Sequence, residues 1–246
     1  MQPKTWAGRA SLALVFFCCA TAASASSLKV SPVRVVLGRE QATTTVDLRN
    51  DGDAAVVVQT RLVSWAQDQG QDVYAPTQEV LASPPIFTIA PRATQTIRLG
   101  MRREPDASRE LAYRIFLDEV PGPEKPGSTG VRMLLRIGLP IFIVPKETPP
   151  PAFTWRAEGI AGGPVAVTLD NAAGRRHVQV IDIKLGPPGS DAVWAEESQS
   201  AYVLPGQTRT WTLEARLPEE SRGGRVRLRA TTDAGDVDTE LPLSGR

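Results

Sequence analysis

The single histidine of the chain, His177, follows Arg175 and Arg176 at the start of an alternating segment. One imidazole without a cysteine outside the first 25 residues, and without a second histidine, cannot assemble an ordinary zinc or copper site. The expectation is a surface or edge side chain and no metal. No G-x-S-x-G nucleophile elbow is present. Gly162-Gly163 and Gly223-Gly224 lack phosphate-loop spacing and read as turns. Carboxylates cluster at Asp118-Glu119 and at Asp68 with Asp72. A glycosidase needs two acids facing each other across a cleft, whereas neighbours on one strand point to opposite faces. Catalysis and cofactors are therefore not expected, and the weight moves to binding.

The segment VRMLLRIGLPIFIVP, residues 131 to 145, has a long and regular alternation interrupted by a proline. Val131, Met133, Leu135, Ile137, Leu139, Ile141 and Ile143 occupy every odd position, while Arg132, Arg136, Gly138 and Pro140 lie between them. Residues two apart in a strand share a face, so 131 to 137 alone make an apolar row about 20 Å long. Periodicity does not say whether that row faces the domain's own core or another molecule. Pro140 cannot donate to a ladder and predicts a break or an edge at that point.

The elements that must carry these residues are strands. Alternating Val, Ile, Leu and Thr segments recur between turn signals, and no stretch keeps helical periodicity over three turns. The class is all-β. Strands are expected near 28–37, 42–50, 55–65, 84–90, 94–102, 111–120 and 131–144, with turns at Asn50-Asp51-Gly52-Asp53 and Ala90-Pro91. Seven strands in roughly 120 residues is the number of an immunoglobulin-like sandwich. The proline-rich run 146–151 marks a hinge. Beyond it, 152–246 alternates again near 153–160, 164–170, 177–185, 200–204, 208–216, 224–231 and 236–243, with a hairpin across Asp233-Ala234-Gly235-Asp236. This reads as a second, smaller sandwich.

Residues 1–25 read as an export signal: Lys4 and Arg9, an apolar run from Leu12 to Ala20, then Ala23-Ser24-Ala25. The apolar run is too short to span a bilayer, and no membrane anchor is expected. Both cysteines, Cys18 and Cys19, lie inside the signal, and Phe17 before them argues against lipid attachment. Of the 28 Lys and Arg, 26 remain after the signal, against 27 Asp and Glu. That balance gives no reason to expect nucleic acid as a partner.

Several segments together resemble the periplasmic pilus chaperones of chaperone-usher systems: VSPVRVVL at 30–37, LRNDGDAAVVVQTRLVSW at 48–65, ASPPIFTIAPRATQTIRLGM at 82–101 and LAYRIFLDEVP at 111–121. The resemblance covers 28–145 well and the rest in size and class. It implies two immunoglobulin-like sandwiches, 26–145 and 152–246, in a boomerang arrangement, acting in the periplasm without enzymatic activity. It implies pilus or fimbrial subunits and an outer-membrane usher as partners. The last strand of the first domain would complete an unfinished subunit, with Val131, Met133, Leu135 and Ile137 as donor residues. Arg34 matches one basic residue that anchors the subunit's C-terminal carboxylate. The second, usually a lysine, falls on Pro140, so either Arg136 or Lys146 substitutes, or Arg34 acts with backbone groups, or the client is anchored differently. This departure suggests a branch near the archaic systems. Arg98 and Glu119 match structural positions, as a buried pair or as exposed strand charges. The free chaperone could hide its strand by self-association. The alternative function is a secreted adhesion or carbohydrate-binding sandwich, with Tyr74, Trp155, Trp194 and Trp211 as stacking surfaces.

Overall fold

The computed structural model describes residues 27–122, 133–147, 150–160, 163–214 and 224–244. Among these there are 18 strands and no helix. The first ten are β1 (Leu28–Ser31), β2 (Val35–Leu37), β3 (Thr43–Asn50), β4 (Val56–Asp68), β5 (Gln71–Pro76), β6 (Val80–Ser83), β7 (Ile86–Ile89), β8 (Thr94–Met101), β9 (Leu111–Val120) and β10 (Arg136–Ile143). They form two sheets, β1-β3-β8-β6 and β2-β10-β9-β4-β5, with β7 also paired to β4. Val46, Leu48, Ile97 and Leu99 of the first sheet pack against Val58, Ile115, Leu117 and Ile141 of the second. β3, β8 and β9 alternate buried and more exposed residues, and β10 is buried throughout from Leu139 to Ile143, so the inward faces of the two sheets supply a common core.

The second half contains β11 (Thr154–Gly159), β12 (Val165–Asp170), β13 (Val178–Gly186), β14 (Ala195–Glu197), β15 (Ala201–Val203), β16 (Thr208–Leu213), β17 (Arg225–Thr232) and β18 (Val237–Ser244). Their order is β14-β13-β17-β18-β11-β12-β16, with β15 on β13. β18 and β11 meet through only two residue pairs, Ala157↔Leu243 and Glu158↔Ser244. Two sheets thus touch at one corner and fold over a separate core that includes Val167, Leu169, Ile183, Val203 and Leu228. The chain is two β-sandwiches, as its alternation predicts. The expected β17–β18 hairpin is present, with Gly235 at φ 116 in its turn.

Three differences from the sequence expectation have local causes. The segment 28–37 is two strands, because Pro32 cannot continue the β1 ladder and the chain crosses at 32–34 from the sheet of β3 to that of β10. β4 runs on to Asp68 and turns into β5 through Gln69 and Gly70, both at positive φ. A Gln-Gly turn is a weaker signal than the Asn-Gly turns that usually mark such hairpins, and β5 is exposed throughout, so it lacks the apolar alternation that reveals a strand. β6 and β14 are edge strands of four and three residues, too short for an alternation to show.

Candidate functional site

Among the described residues the strand expected over 131–144 is β10, Arg136–Ile143, which carries the second half of the row, while Met133 and Leu135 lie just before it and burial changes along the segment. Met133 is 88% exposed and Leu135 37%, Ile137 packs against the core from a half-buried position, and Leu139, Ile141 and Ile143 are buried. The same face of one segment therefore passes from solvent into the sandwich. Val131 lies outside the described residues, as does Arg132.

The edge of β10 changes along its length in the same way. β9 pairs with it over the whole strand, from Arg136↔Asp118 to Ile143↔Leu111. On the other side β2 runs parallel to it and covers only Ile141 to Ile143. Among the described residues no strand covers that side from Arg136 to Pro140. The backbone phase follows from two bonds at its ends. Glu119 N–H donates to Leu135 C=O, and Val144 N–H donates to Leu37 C=O. Odd residues of β10 therefore turn their backbone groups to β9 and even residues turn theirs outward. Arg136 and Gly138 present outward N–H groups, and Pro140 occupies the next outward position. A proline there costs the β9 ladder nothing, as expected of an edge, and it removes the donor that would let β2 pair further back.

Arg34 directly precedes β2. Because Val35 is opposite Ile141, Arg34 lies level with Pro140, where the open edge ends. Its guanidinium is held from the second sandwich: Nη1 donates to Asp233 Oδ2 at 2.7 Å and lies 3.4 Å from His177 Nε2. His177 is 8% exposed. Its Nδ1 is 2.6 Å from Glu110 Oε1, its Nε2 is 3.2 Å from Asp233 Oδ2, and its ring stacks on Phe142 with centroids 3.7 Å apart. The expectation of a surface or edge histidine is thus corrected. The imidazole sits in the contact between the sandwiches, because its partners arrive from Glu110 before β9 and from the β17–β18 turn.

The shifts in this cluster follow from these bonds. Burial pulls the His177 pKa down, but hydrogen bonds and charge from Asp233 and Glu110 outweigh it and raise it above the usual imidazole value. Burial also opposes ionisation of Asp233, yet bonds from His177, the Gln179 amide and Arg34 bring its pKa down to about 2. Around this cluster Trp65, Phe142 and Leu204 form a small buried core shared by the two sandwiches. Gln67 completes it by donating to Tyr202 C=O at 2.9 Å and accepting from Leu204 N–H at 3.0 Å.

The remaining expected residues are placed as follows. Arg136 lies four residues before Pro140, about 13 Å along the strand from the level of Arg34. There it is paired with Asp118, and its guanidinium is 5.8 Å from the Phe116 ring centre. Lys146 follows the far end of β10, and its N–H donates to Asp106 C=O at 3.1 Å. Neither is brought beside Arg34. Arg98 is exposed on β8, opposite Thr45 and Ser83, while Glu119 is on β9 in the other sheet, accepting from Leu135 N–H at 3.1 Å. A buried Arg98–Glu119 pair is therefore corrected to charges on two different sheets. Trp211 is buried, and Trp155 and Trp194 pack against the same core, so the three tryptophans do not form the stacking surface that a sugar would need. Only Tyr74 of that set is exposed. Among the described residues no group of three His, Cys, Asp or Glu could hold a metal ion.

Known proteins share this fold. A chain of the CsuC–CsuE chaperone–tip adhesion subunit pre-assembly complex of the archaic Csu pili of Acinetobacter baumannii superposes with a TM-score of 0.64 at 18% identity, covering 89% of this chain and 99% of that one. A chain of the Salmonella enterica SafA pilin–SafB chaperone complex gives 0.59 at 17% identity, covering 88% and 96%. At these identities the likeness concerns the fold. The chaperone protein FimB/FhaD of Bordetella pertussis is 24% identical over 185 residues, 72% of this chain and 69% of its own length. Residues 27–149 match the PapD N-terminal domain, described as a pili and flagellar-assembly chaperone. With that match over half its length, the chain belongs to the PapD family of pilus-assembly chaperones.

Proposed function

We propose that this protein captures pilus or fimbrial subunits in the periplasm by lending them the open part of β10, and hands them to an outer-membrane usher. The observation that carries the proposal is the coincidence on one segment of an uncovered backbone edge, Arg136 to Pro140, with an apolar row that leaves the core at Ile137 and is exposed at Leu135 and Met133. A long open edge invites unwanted pairing. An edge with an exposed apolar row is suited to strand addition, in which the ladder supplies attraction and alternate side chains fill pockets.

The polarity of the added strand follows from Arg34. A subunit strand lying on the outward groups of Arg136 and Gly138 would meet the start of β2 end to end, with Arg34 at the junction. If its C-terminal carboxylate is held by that guanidinium, the strand runs in the direction of β2, parallel to β10. A guanidinium suits this task because it can bind a carboxylate through two parallel N–H bonds. Since Pro140 replaces the second cation, Arg34 acts alone among the side chains expected there. In this reading residues 1–25 are removed as an export signal, 26–145 form the strand-donating unit, and 146–151 are the hinge to 152–246. No catalytic step is part of it.

Burying Met133 and Leu135 in a partner is worth about 1.5–3 kcal/mol for each side chain. Replacing both by Asp is expected to abolish co-purification of a subunit from the periplasm while the chaperone's melting temperature stays unchanged. Retained capture would sink the donor assignment.

A further inference from the structure

The cluster behind Arg34 has an unusual charge arrangement. His177 Nδ1 faces the carboxylate of Glu110 and Nε2 faces that of Asp233. A neutral imidazole has one N–H, so one of these nitrogens would present a lone pair to a carboxylate. Only the imidazolium donates to both. Other charged or titratable groups near the ring are Arg34, 3.4 Å from Nε2, Arg176, whose Nε is 3.8 Å from Glu110 Oε2, and the Tyr202 phenol, whose ring centre is 5.5 Å away. Phe142 closes the face of the imidazole and brings no charge.

The consequence for Arg34 is a matter of charge balance. Arg34, Arg176 and protonated His177 face Glu110 and Asp233, so the cluster is positive by one charge. Without the proton it is neutral, and Asp233 turns its full charge on Arg34. An arriving carboxylate would then be opposed by the acid that already occupies the guanidinium. Arg34 Nη1 is committed to Asp233, while its side chain remains 36% exposed on the cleft. We propose that His177, clamped as an imidazolium between Glu110 and Asp233, is a positioning residue that holds Asp233 in place and keeps Arg34 available to a carboxylate from the client. The inference rests on the reading of Arg34 as the anchor, and it makes client capture respond to pH.

The test uses the only histidine of the chain, which gives a single imidazole signal. The full mature protein, labelled with 15N, is titrated by NMR in acetate and in chloride at equal ionic strength, acetate standing for the client carboxylate. Because coupling between two binding events is reciprocal, acetate is expected to move the imidazole midpoint to higher pH. It should also bind about threefold more tightly on the acid side of that midpoint than on the alkaline side. Both effects are expected to vanish in Arg34→Gln. His177→Gln should bind acetate with the weaker, alkaline affinity at every pH, and if that variant does not fold, the wild-type titration still decides. An imidazole midpoint identical in the two salts, or an acetate effect that persists in Arg34→Gln, overturns the proposal. Subunit capture by Arg34→Gln separates the two layers. Retained capture removes Arg34 as anchor, whereas lost capture with an unmoved imidazole removes only the role of His177.

Discussion

Met133 and Leu139 lie six residues apart in one segment, yet substitutions at the two are expected to fail in opposite ways. Leu139 is 3% exposed, so Leu139→Ala should lower unfolding free energy by about 2–5 kcal/mol. Met133→Asp adds charge to a side chain already in water, so the melt should stay within about 0.5 kcal/mol of wild type while subunit capture is lost. Thermal denaturation and a periplasmic pull-down on the same two variants check both outcomes. The row itself was legible in the sequence, because period-two alternation survives any context. Where it emerges from the core was not, since buried and exposed stretches of one face have the same period; only the family resemblance put the donor segment before Leu139. His177 shows a different limit. Glu110 lies 67 residues before it, and no local spacing announces a partner that distant.

At the scale of the element, Pro140 decides how far the open edge extends. It stands on the outward phase of β10, between a stretch that no described strand covers and a stretch covered by β2. Pro140→Val would restore one outward donor without touching the β9 ladder. Because Pro140 is itself buried, the added N–H would be shut away from water, and the variant is expected to lose about 1–3 kcal/mol of stability for an unsatisfied donor, as read by thermal denaturation. An unchanged melt would mean that β2 shifts to accept the new bond. Most strands were readable from alternation and turn chemistry. β5 was missed because its six residues are all exposed, and the division of 28–37 because a crossover between sheets depends on which strands lie beside it.

The two sandwiches are joined by a buried aromatic contact and by charges, and the two respond to different perturbations. Phe142 is fully buried among Trp65, Leu204 and His177. Phe142→Ala is expected to cost about 3–5 kcal/mol and to split one calorimetric transition into two, as the halves lose their common core. The charge cluster sets the pH dependence. The His177 pKa is raised in the folded protein, so its contribution is complete below the unfolded value near 6.5 and is lost as pH rises through the raised value. The Asp233 pKa is depressed to about 2, so its contribution is present above the unfolded value near 3.9 and disappears as pH falls toward about 2. The melting temperature of the wild type should therefore fall on both sides of this window, and His177→Gln should lose the alkaline decline. The existence of two β units was visible in the sequence. How they meet was not, because the contact is made by single residues drawn from β4, β10 and β15 and from the loops that carry Arg34, Glu110, His177, Leu204 and Asp233.

The central claim is that a client strand adds to the outward side of β10. Amide hydrogen exchange, resolved by NMR in the free chaperone and in its complex with a co-purified subunit, tests it at single N–H groups. The account predicts that the N–H groups of Arg136 and Gly138, which face outward, become strongly protected in the complex. Those of Ile137 and Leu139, already bonded to β9, should change little. Unchanged exchange at Arg136 and Gly138 in a saturated complex would contradict it.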